Sequence, residues 1–472
     1  MNPLFALPLG AAIAALPSTA LAATLEPDPA NFSLAWGFPF ALILLSIALG
    51  PVLTPTLWQK HYGKIVALWS LIFLIPYAAT FSVGAAGELL AEAMLSEYIP
   101  FILLLLTLFT VSGGILIVGD LRGTPMTNTR LLFIGTMLAS LMGTTGAAML
   151  MIRPVLRALE HRTHKMHVVI FFIFLVANIG GSLTPLGDPP LFLGFLKGVT
   201  FSWTFLHMLL PFIFSVAFLL TVFFLLDSHL YKKSGDSAKT LPKAKTKIKV
   251  FGKLNVALLL CAVGTVVLSG VWKPGVSFRL WGVDVELQNL LRDAIFVGIT
   301  AISLAFTPKP VRMGNEFDFE PIVEVAKLFV GIFITITPVI AILRAGEAGH
   351  LGFLVNMTHN AAGEPIDAMY FWMTGALSSF LDNAPTYLIF FNMASGDPEF
   401  LMHSLPETLR AISMGAVFMG AMTYIGNAPN LMVRAIANQR EIEMPSFFGF
   451  MGWSLLFLGS LFILLTLIFF VF

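Results

Sequence analysis

Two acids, Asp188 and Asp382, lie inside long apolar stretches of the chain. An Asp at the centre of a bilayer is unfavourable by about 2.5–3.5 kcal/mol on insertion scales, and such residues mark ion or proton pathways. Either a proton or a monovalent cation removes that penalty, so an acid at this depth can alternate between them. The neighbouring residues supply the rest of such chemistry. Thr184-Pro-Leu-Gly187-Asp188-Pro189-Pro190-Leu191 and Thr423-Tyr-Ile-Gly426-Asn427-Ala-Pro429-Asn430-Leu431 both read Thr-x-x-Gly-(Asp/Asn)-x-Pro, 239 residues apart. Gly and Pro unwind the backbone and free its carbonyls, while Thr and Asn add neutral oxygens. Hard monovalent cations prefer such oxygen cages, with a carboxylate for charge balance. Unwound backbone at bilayer depth is tolerated only where protein buries it or a wet cavity receives it.

Two cages follow. The first groups Thr144, Thr145 and Gly146 with Asn178, Thr184, Gly187 and Asp188; the second groups Asp382, Asn383 and Thr386 with Thr423, Gly426 and Asn427. Each contains one acid as proton and cation carrier, with Na+ held mainly by Asp188, Thr184, Asp382, Asn383 and Asn427. A plainer role stays open for both acids, capping the N-terminus of a broken helix, where negative charge is favoured.

The elements that position these residues are membrane helices. Hydrophobic residues make up 57% of the chain, charged residues 11%, and mean hydropathy is +0.88. A soluble domain carries roughly 25% charged residues, so the fold class is an all-α polytopic membrane protein. A net charge of +1 argues against nucleic acid as a partner. The single cysteine, Cys261, has no partner for an intramolecular disulfide, and no cofactor or redox role is indicated. No phosphate-binding loop for ATP is present, which leaves primary pumping unsupported.

Residues 1–23 read as a signal peptide, with a small-residue cleavage site at Ala20-Leu21-Ala22. Basic residues then order the spans, since cytoplasmic loops are rich in Lys and Arg. Three spans (34–54, 65–84, 99–119) are followed by 131–157, whose two ends are both basic. A re-entrant hairpin with its tip near Gly143-Thr144-Thr145-Gly146 resolves the conflict; an ordinary helix that breaks the charge rule is the alternative. A broken helix at 167–198 and a span at 202–226 complete the first half, 24–227. Eight lysines between Lys232 and Lys253 mark 228–253 as a basic cytoplasmic linker. The second half, 254–472, repeats the order in the opposite direction, with a hairpin at 368–395 and a broken helix at 409–433. This is an inverted-topology repeat with about 10–11 spans, the architecture in which secondary transporters place substrate at paired helix breaks. Matching the tips at Thr145 and Asp382 gives an offset of 237 residues, close to that of the breaks.

Ala177-Asn178-Ile-Gly-Gly-Ser-Leu-Thr184-Pro-Leu-Gly-Asp188-Pro-Pro resembles the first site motif of the ion transporter superfamily. Ser378-Ser-Phe-Leu-Asp382-Asn383-Ala-Pro385-Thr386 resembles its second hairpin tip. The nearest branch is similar to sodium:proton antiporters of the NhaD type, beside citrate-transporter-like families. The resemblance implies a homodimer in a bacterial inner membrane, with a fixed scaffold and a mobile transport part per protomer. It also implies two cation sites, each shared by a hairpin tip and a helix break. Carboxylate-transporting relatives carry Ser-Asn-Thr tips in both hairpins, and this chain departs from that pattern. With two acids and no Arg or Lys in either motif, Na+(Li+)/H+ antiport is the expected function, with Na+- or H+-coupled citrate or dicarboxylate symport as the alternative. An intramembrane aspartyl protease is disfavoured because Pro185 occupies the first Gly position of its Gly-x-Gly-Asp motif.

Several other residues carry plainer expectations. Arg153 is read as snorkelling to lipid headgroups, Glu88 and Glu92 as a solvated acidic face, and His161, His164 and His167 as charge anchors in a basic turn. Arg344 and Glu347 are read as a surface pair.

Overall fold

The computed structural model describes residues 32–119, 121–235, 248–346 and 349–471. The proposed signal peptide, Glu347 and linker residues 236–247 lie outside them. The first half runs α1 (Phe38–Leu53), α2 (Pro55–Thr80), α3 (Val83–Glu92), α4 (Ile99–Ser112), α5 (Pro125–Met142), α6 (Thr144–Ala158), α7 (Met166–Leu175), α8 (Pro189–Lys197) and α9 (Phe201–Lys233). The second begins with α10 (Lys253–Val271), α11 (Leu287–Phe306), α12 (Lys309–Gly314), α13 (Glu320–Thr335), α14 (Thr337–Arg344) and α15 (Gly352–Thr358). It continues with α16 (Asp367–Phe380), α17 (Asn383–Ala394), α18 (Pro398–His403), α19 (Pro406–Met419), α20 (Ala428–Gln439), α21 (Phe447–Ser454) and α22 (Ser460–Thr466).

This is an all-α polytopic membrane protein. Eight helical stretches among the described residues are long and apolar enough to cross a bilayer, or nine with the 43° bent pair α13–α14. Fewer pass this test than the 10–11 spans expected, for a physical reason. The second broken helix consists of pieces of 14 and 12 residues, each below the roughly 20 that span a hydrocarbon core. The 166–183 span is internal: 89% of its residues are buried, against 22–44% in the other seven. A helix apolar on every side is stable only in such a position or in lipid.

Local chemistry sets the breaks. Thr124 caps α5, its hydroxyl accepting from Thr127 N at 3.3 Å, with Pro125 at the first helical position. The helix stops at Gly143, whose φ of +80° a side chain would resist. α6 then doubles back, and Arg162 Nη1 donates to Gly123 O at 2.5 Å, so the two ends of this hairpin meet. Pro189 and Pro190 open α8 after the first break, and Pro429 stands in the first turn of α20 after the second.

The repeat is inverted. α6 ends where Arg153 pairs with Glu316 at 3.0 Å, and α20 ends where Arg440 lies 3.6 Å from the same Glu316. Their repeat mates end elsewhere. Asn392 at the end of α17 accepts from Arg344 Nε at 3.2 Å, and just beyond α8 Thr200 N donates to Met402 Sδ at 3.3 Å. α6 and α20 therefore run towards one end of the molecule, and α17 and α8 towards the other.

Three expectations change. Arg153 does not merely snorkel, since it binds Glu316, whose carboxyl it holds below the usual range. The linker starts later than residue 228, because α9 continues to Lys233, and at its far end Lys249–Phe251 pairs antiparallel with Leu116–Val118. His167 is not a surface anchor: its Nε2 lies 2.9 Å from Asp227 Oδ1 in a buried cluster. There Arg162 Nη2 donates to Asp227 Oδ1 at 2.6 Å and Asn128 Nδ2 donates to Asp227 Oδ2 at 2.9 Å, tying α5, α7 and α9 together. Arg344 Nε donates to Asn392 Oδ1 at 3.2 Å, and the surface pair expected with Glu347 lies outside the described residues. Glu88 and Glu92 are exposed, as read.

Candidate functional site

Each break is built from the same hydrogen bonds, repeated at a step of 239 residues. Thr184 Oγ1 donates to Ser140 O at 2.5 Å and accepts from Leu186 N at 3.2 Å. Thr423 Oγ1 donates to Ser379 O at 2.5 Å and accepts from Ile425 N and Gly426 N, both at 3.2 Å. Ser140 Oγ donates to Gly180 O at 2.5 Å, as Ser379 Oγ does to Met419 O at 3.1 Å. These side chains replace the backbone partners that unwinding removes. Thr184 and Thr423, expected as ligands, each fasten a break to its own hairpin.

The centre lies between the two halves. Asp188 is 2% exposed, and its Oδ1 accepts from Thr144 Oγ1 at 2.8 Å and from Asn427 Nδ2 at 3.4 Å. Its Oδ2 accepts a short hydrogen bond from Asn383 Nδ2. Thr144 comes from the first hairpin tip, Asn383 from the second, and Asn427 from the second break. The two expected cages are thus joined around one carboxylate. Behind it, Asn427 Nδ2 also reaches Ala177 O at 3.1 Å and Asn178 Oδ1 at 3.3 Å. Asn178 Nδ2 in turn donates to Asn430 Oδ1 and to Ile173 O, both at 2.8 Å.

The repeat register is also corrected. The step of 239 residues takes Asp188 to Asn427, and it likewise takes Thr144 to Asn383 and Gly143 to Asp382. Asp382 therefore matches Gly143, not Thr145. Both are N-cap residues, of α17 and α6, and Asp382 accepts from Ala384 N at 3.1 Å in that role. No hydrogen bond to Thr423, Gly426 or Asn427 is among its contacts, because it stands one residue before the position that faces the break. Its partial exposure contrasts with the burial of Asp188.

The other expected residues make contacts within their own repeats. Thr386 Oγ1 donates to Asp382 O at 3.0 Å, within its own helix turn. Gly187 O accepts from Thr144 N at 2.9 Å, docking the first tip on its break. A Cβ at Gly146 would stand 2.5 Å from Ser112 Oγ, so glycine there permits close approach of α4. One at Gly426 would meet Gly420 O at 2.6 Å. Thr145 is partly exposed and makes no hydrogen bond to Asp188. Asn430 was missed, although it stands inside the second motif; the signal was a second Asn three residues after Asn427, with only Ala and Pro between them.

Two features define what this centre can hold. Four helix N-termini converge on it, since Thr144 and Asn383 begin α6 and α17 while Asp188 and Asn427 precede α8 and α20. Each carries a positive partial charge, and the Asp188 carboxylate balances them. In addition, Asn383 Oδ1 is buried and accepts no hydrogen bond among the described residues. A buried orphan acceptor is unfavourable by about 1–3 kcal/mol, and here it belongs to a side chain already on Asp188. Carboxylate, hydroxyl and amide oxygens are thus brought together, with no Lys or Arg among the described residues in hydrogen-bond contact.

Residues 29–470 match the family model CitMHS_2, described as "Putative citrate transport". The chain belongs to this family. It is a membrane transporter of the citrate-transporter-like part of the ion transporter superfamily. A search of curated proteins found no match.

Proposed function

We propose that this transporter exchanges Na+ or Li+ for H+ across the bacterial inner membrane by alternating access, with Asp188 as carrier. The observation that carries the reading is the setting of Asp188, 2% exposed and met by neutral side chains from both repeats. A bare carboxylate there is penalised, whereas protonated or cation-bound Asp188 is compensated. Only the two compensated forms change access readily, and that restriction couples the two ions. On cation entry Asn383 turns its unpaired Oδ1 inwards, and Thr144 Oγ1 offers a lone pair. The resemblance to the ion transporter superfamily supports a homodimer.

Asp382 supplies a second negative charge beside the site and draws cations towards it. Asn caps helices as well as Asp does, so Asp382→Asn keeps α17 intact and removes only charge. We expect the KM for Na+ to rise about tenfold with the maximal rate little changed, equivalent to about 1.4 kcal/mol of lost attraction. Asp382→Ala adds a stability loss of about 1 kcal/mol from the missing cap, read as a lower Tm in detergent.

A second reading, cation-coupled citrate symport, has support from the family description and from the four converging helix N-termini, which also suit a substrate carboxylate. Everted vesicles decide between them when Na+, Li+, K+ and citrate are compared. Antiport gives proton release driven by Na+ or Li+ without citrate. Sodium-dependent citrate uptake with no cation-driven proton release selects symport.

A further inference from the structure

We propose that Asn430 is a built-in substitute for a cation in the second break, so that each protomer binds one exchangeable cation, on the Asp188 side. This rests on the reading that the paired breaks are the cation-binding region, and it departs from a site in each half.

Asn430 is fully buried, and both hydrogens of its amide nitrogen are engaged, with Gly420 O at 2.9 Å and Thr423 O at 3.0 Å. Gly420 and Thr423 are the repeat mates of Gly181 and Thr184. In the second break, then, the carbonyl pair that could face a cation faces the positive end of an amide dipole. The orientation of that amide follows from its partners. Turned over, its oxygen would oppose two carbonyl oxygens and its nitrogen would oppose Asn178 Nδ2, which now donates to Asn430 Oδ1 at 2.8 Å. The repeat mate of Asn430 is Leu191, buried and without a side-chain donor.

Other groups of the second break agree. Thr423 Oγ1 gives its proton to Ser379 O and accepts from two backbone amides, which fills both lone pairs. Asn427, standing where Asp188 stands in the first break, turns its Nδ2 towards Asp188, Asn178 and Ala177. Asn430, Asn178, Asn427 and Asp188 therefore form one hydrogen-bonded chain that begins on the second break's carbonyls and ends on the carrier acid. The second repeat has become a donor that serves the first.

The test is radioactive-sodium equilibrium dialysis of the full-length protein in detergent, in alkaline buffer. We expect wild type to bind one Na+ per protomer with a Hill coefficient of one. Asn430→Asp sets a carboxylate oxygen against the two carbonyls and should raise the count to two. Asp188→Asn should lower each count by one, to none alone and to one in combination with Asn430→Asp. Asn430→Ala, which frees both carbonyls without adding charge, should also raise the count above one and serves if Asn430→Asp misfolds. Two Na+ per wild-type protomer, a result that needs no variant, overturns the inference and leaves the exchange reading intact. A count of one in the folded Asn430 variants overturns it as well. Wild type that binds no saturable Na+ overturns the cation reading and this inference together.

Discussion

Asp188→Asn should reduce cation-driven proton release by about 100-fold or more, to vesicle background, because the substituted site neither carries a proton nor offsets a cation's charge. The folded state should survive. Asp188 accepts from Thr144 and Asn427 on one oxygen and from Asn383 on the other. An asparagine keeps one of these acceptors and presents a donor in place of the second. Asn383 can meet that donor by turning over, since its own Oδ1 is unpaired. The stability change should therefore stay within about 1 kcal/mol, the net worth of a typical hydrogen bond. The measurement is acridine-dye recovery in everted vesicles, with size-exclusion elution and Tm of the purified variant beside wild type. Near-normal exchange by a folded Asp188→Asn protein would end the assignment of Asp188 as carrier.

The largest structural effect is expected from Gly187→Ala. A Cβ at this position would fall inside the contact radius of Gly181 O and lie 2.6 Å from the Gly181 carbonyl carbon and 2.8 Å from its Cα. All three atoms are backbone, so no flexible side chain can swing away. Gly181 is itself packed against Thr144 and Asp188, and Gly187 O holds the first hairpin tip through Thr144 N. Relief of the clash would therefore move the carrier and the tip together. We expect destabilisation of about 4–5 kcal/mol, in the exceptional range for one substitution, seen as loss of the monodisperse peak on extraction. Gly426→Ala is the internal control. Its nearest approaches are 2.6 Å to Gly420 O and 2.8 Å to Ser378 O, so the same strain should arise in a milder form. A Gly187→Ala protein as stable as wild type would show that the first break is not tightly closed.

Both substitutions bear on the asymmetry between the repeats. Two hairpins approach from opposite ends and use equivalent tip residues, Thr144 and Asn383, on a single acid that only one repeat supplies. An inverted repeat with an acid in each break would bring two carboxylates to the meeting point. Replacing one by Asn427 turns a repulsion into a hydrogen bond.

The class of protein, the two hairpins and the two broken helices were legible because their causes are local. Apolar run length sets the spans, and Pro, Gly and small polar residues end the helices where they stand. Gly143, Asp188 with Pro189, and Asn427 with Pro429 place those interruptions without reference to the rest of the chain. Spacing along the chain then paired each tip with the break of its own repeat, and local reasoning did not reach the contact of Asn383 with the acid of the other repeat. Asn383 meets Asp188 across 195 positions and Asn178 meets Asn430 across 252. Buried Asp227 finds His167 and Arg162 across 60 and 65. Such pairings follow from the need of every buried polar group for a partner, and that partner is chosen by how the inverted halves interlock. From the sequence alone came the kinds of groups present at bilayer depth. Only the tertiary structure decided that one carboxylate serves both repeats, because hydrogen-bond partners over such separations leave no periodic trace in the chain.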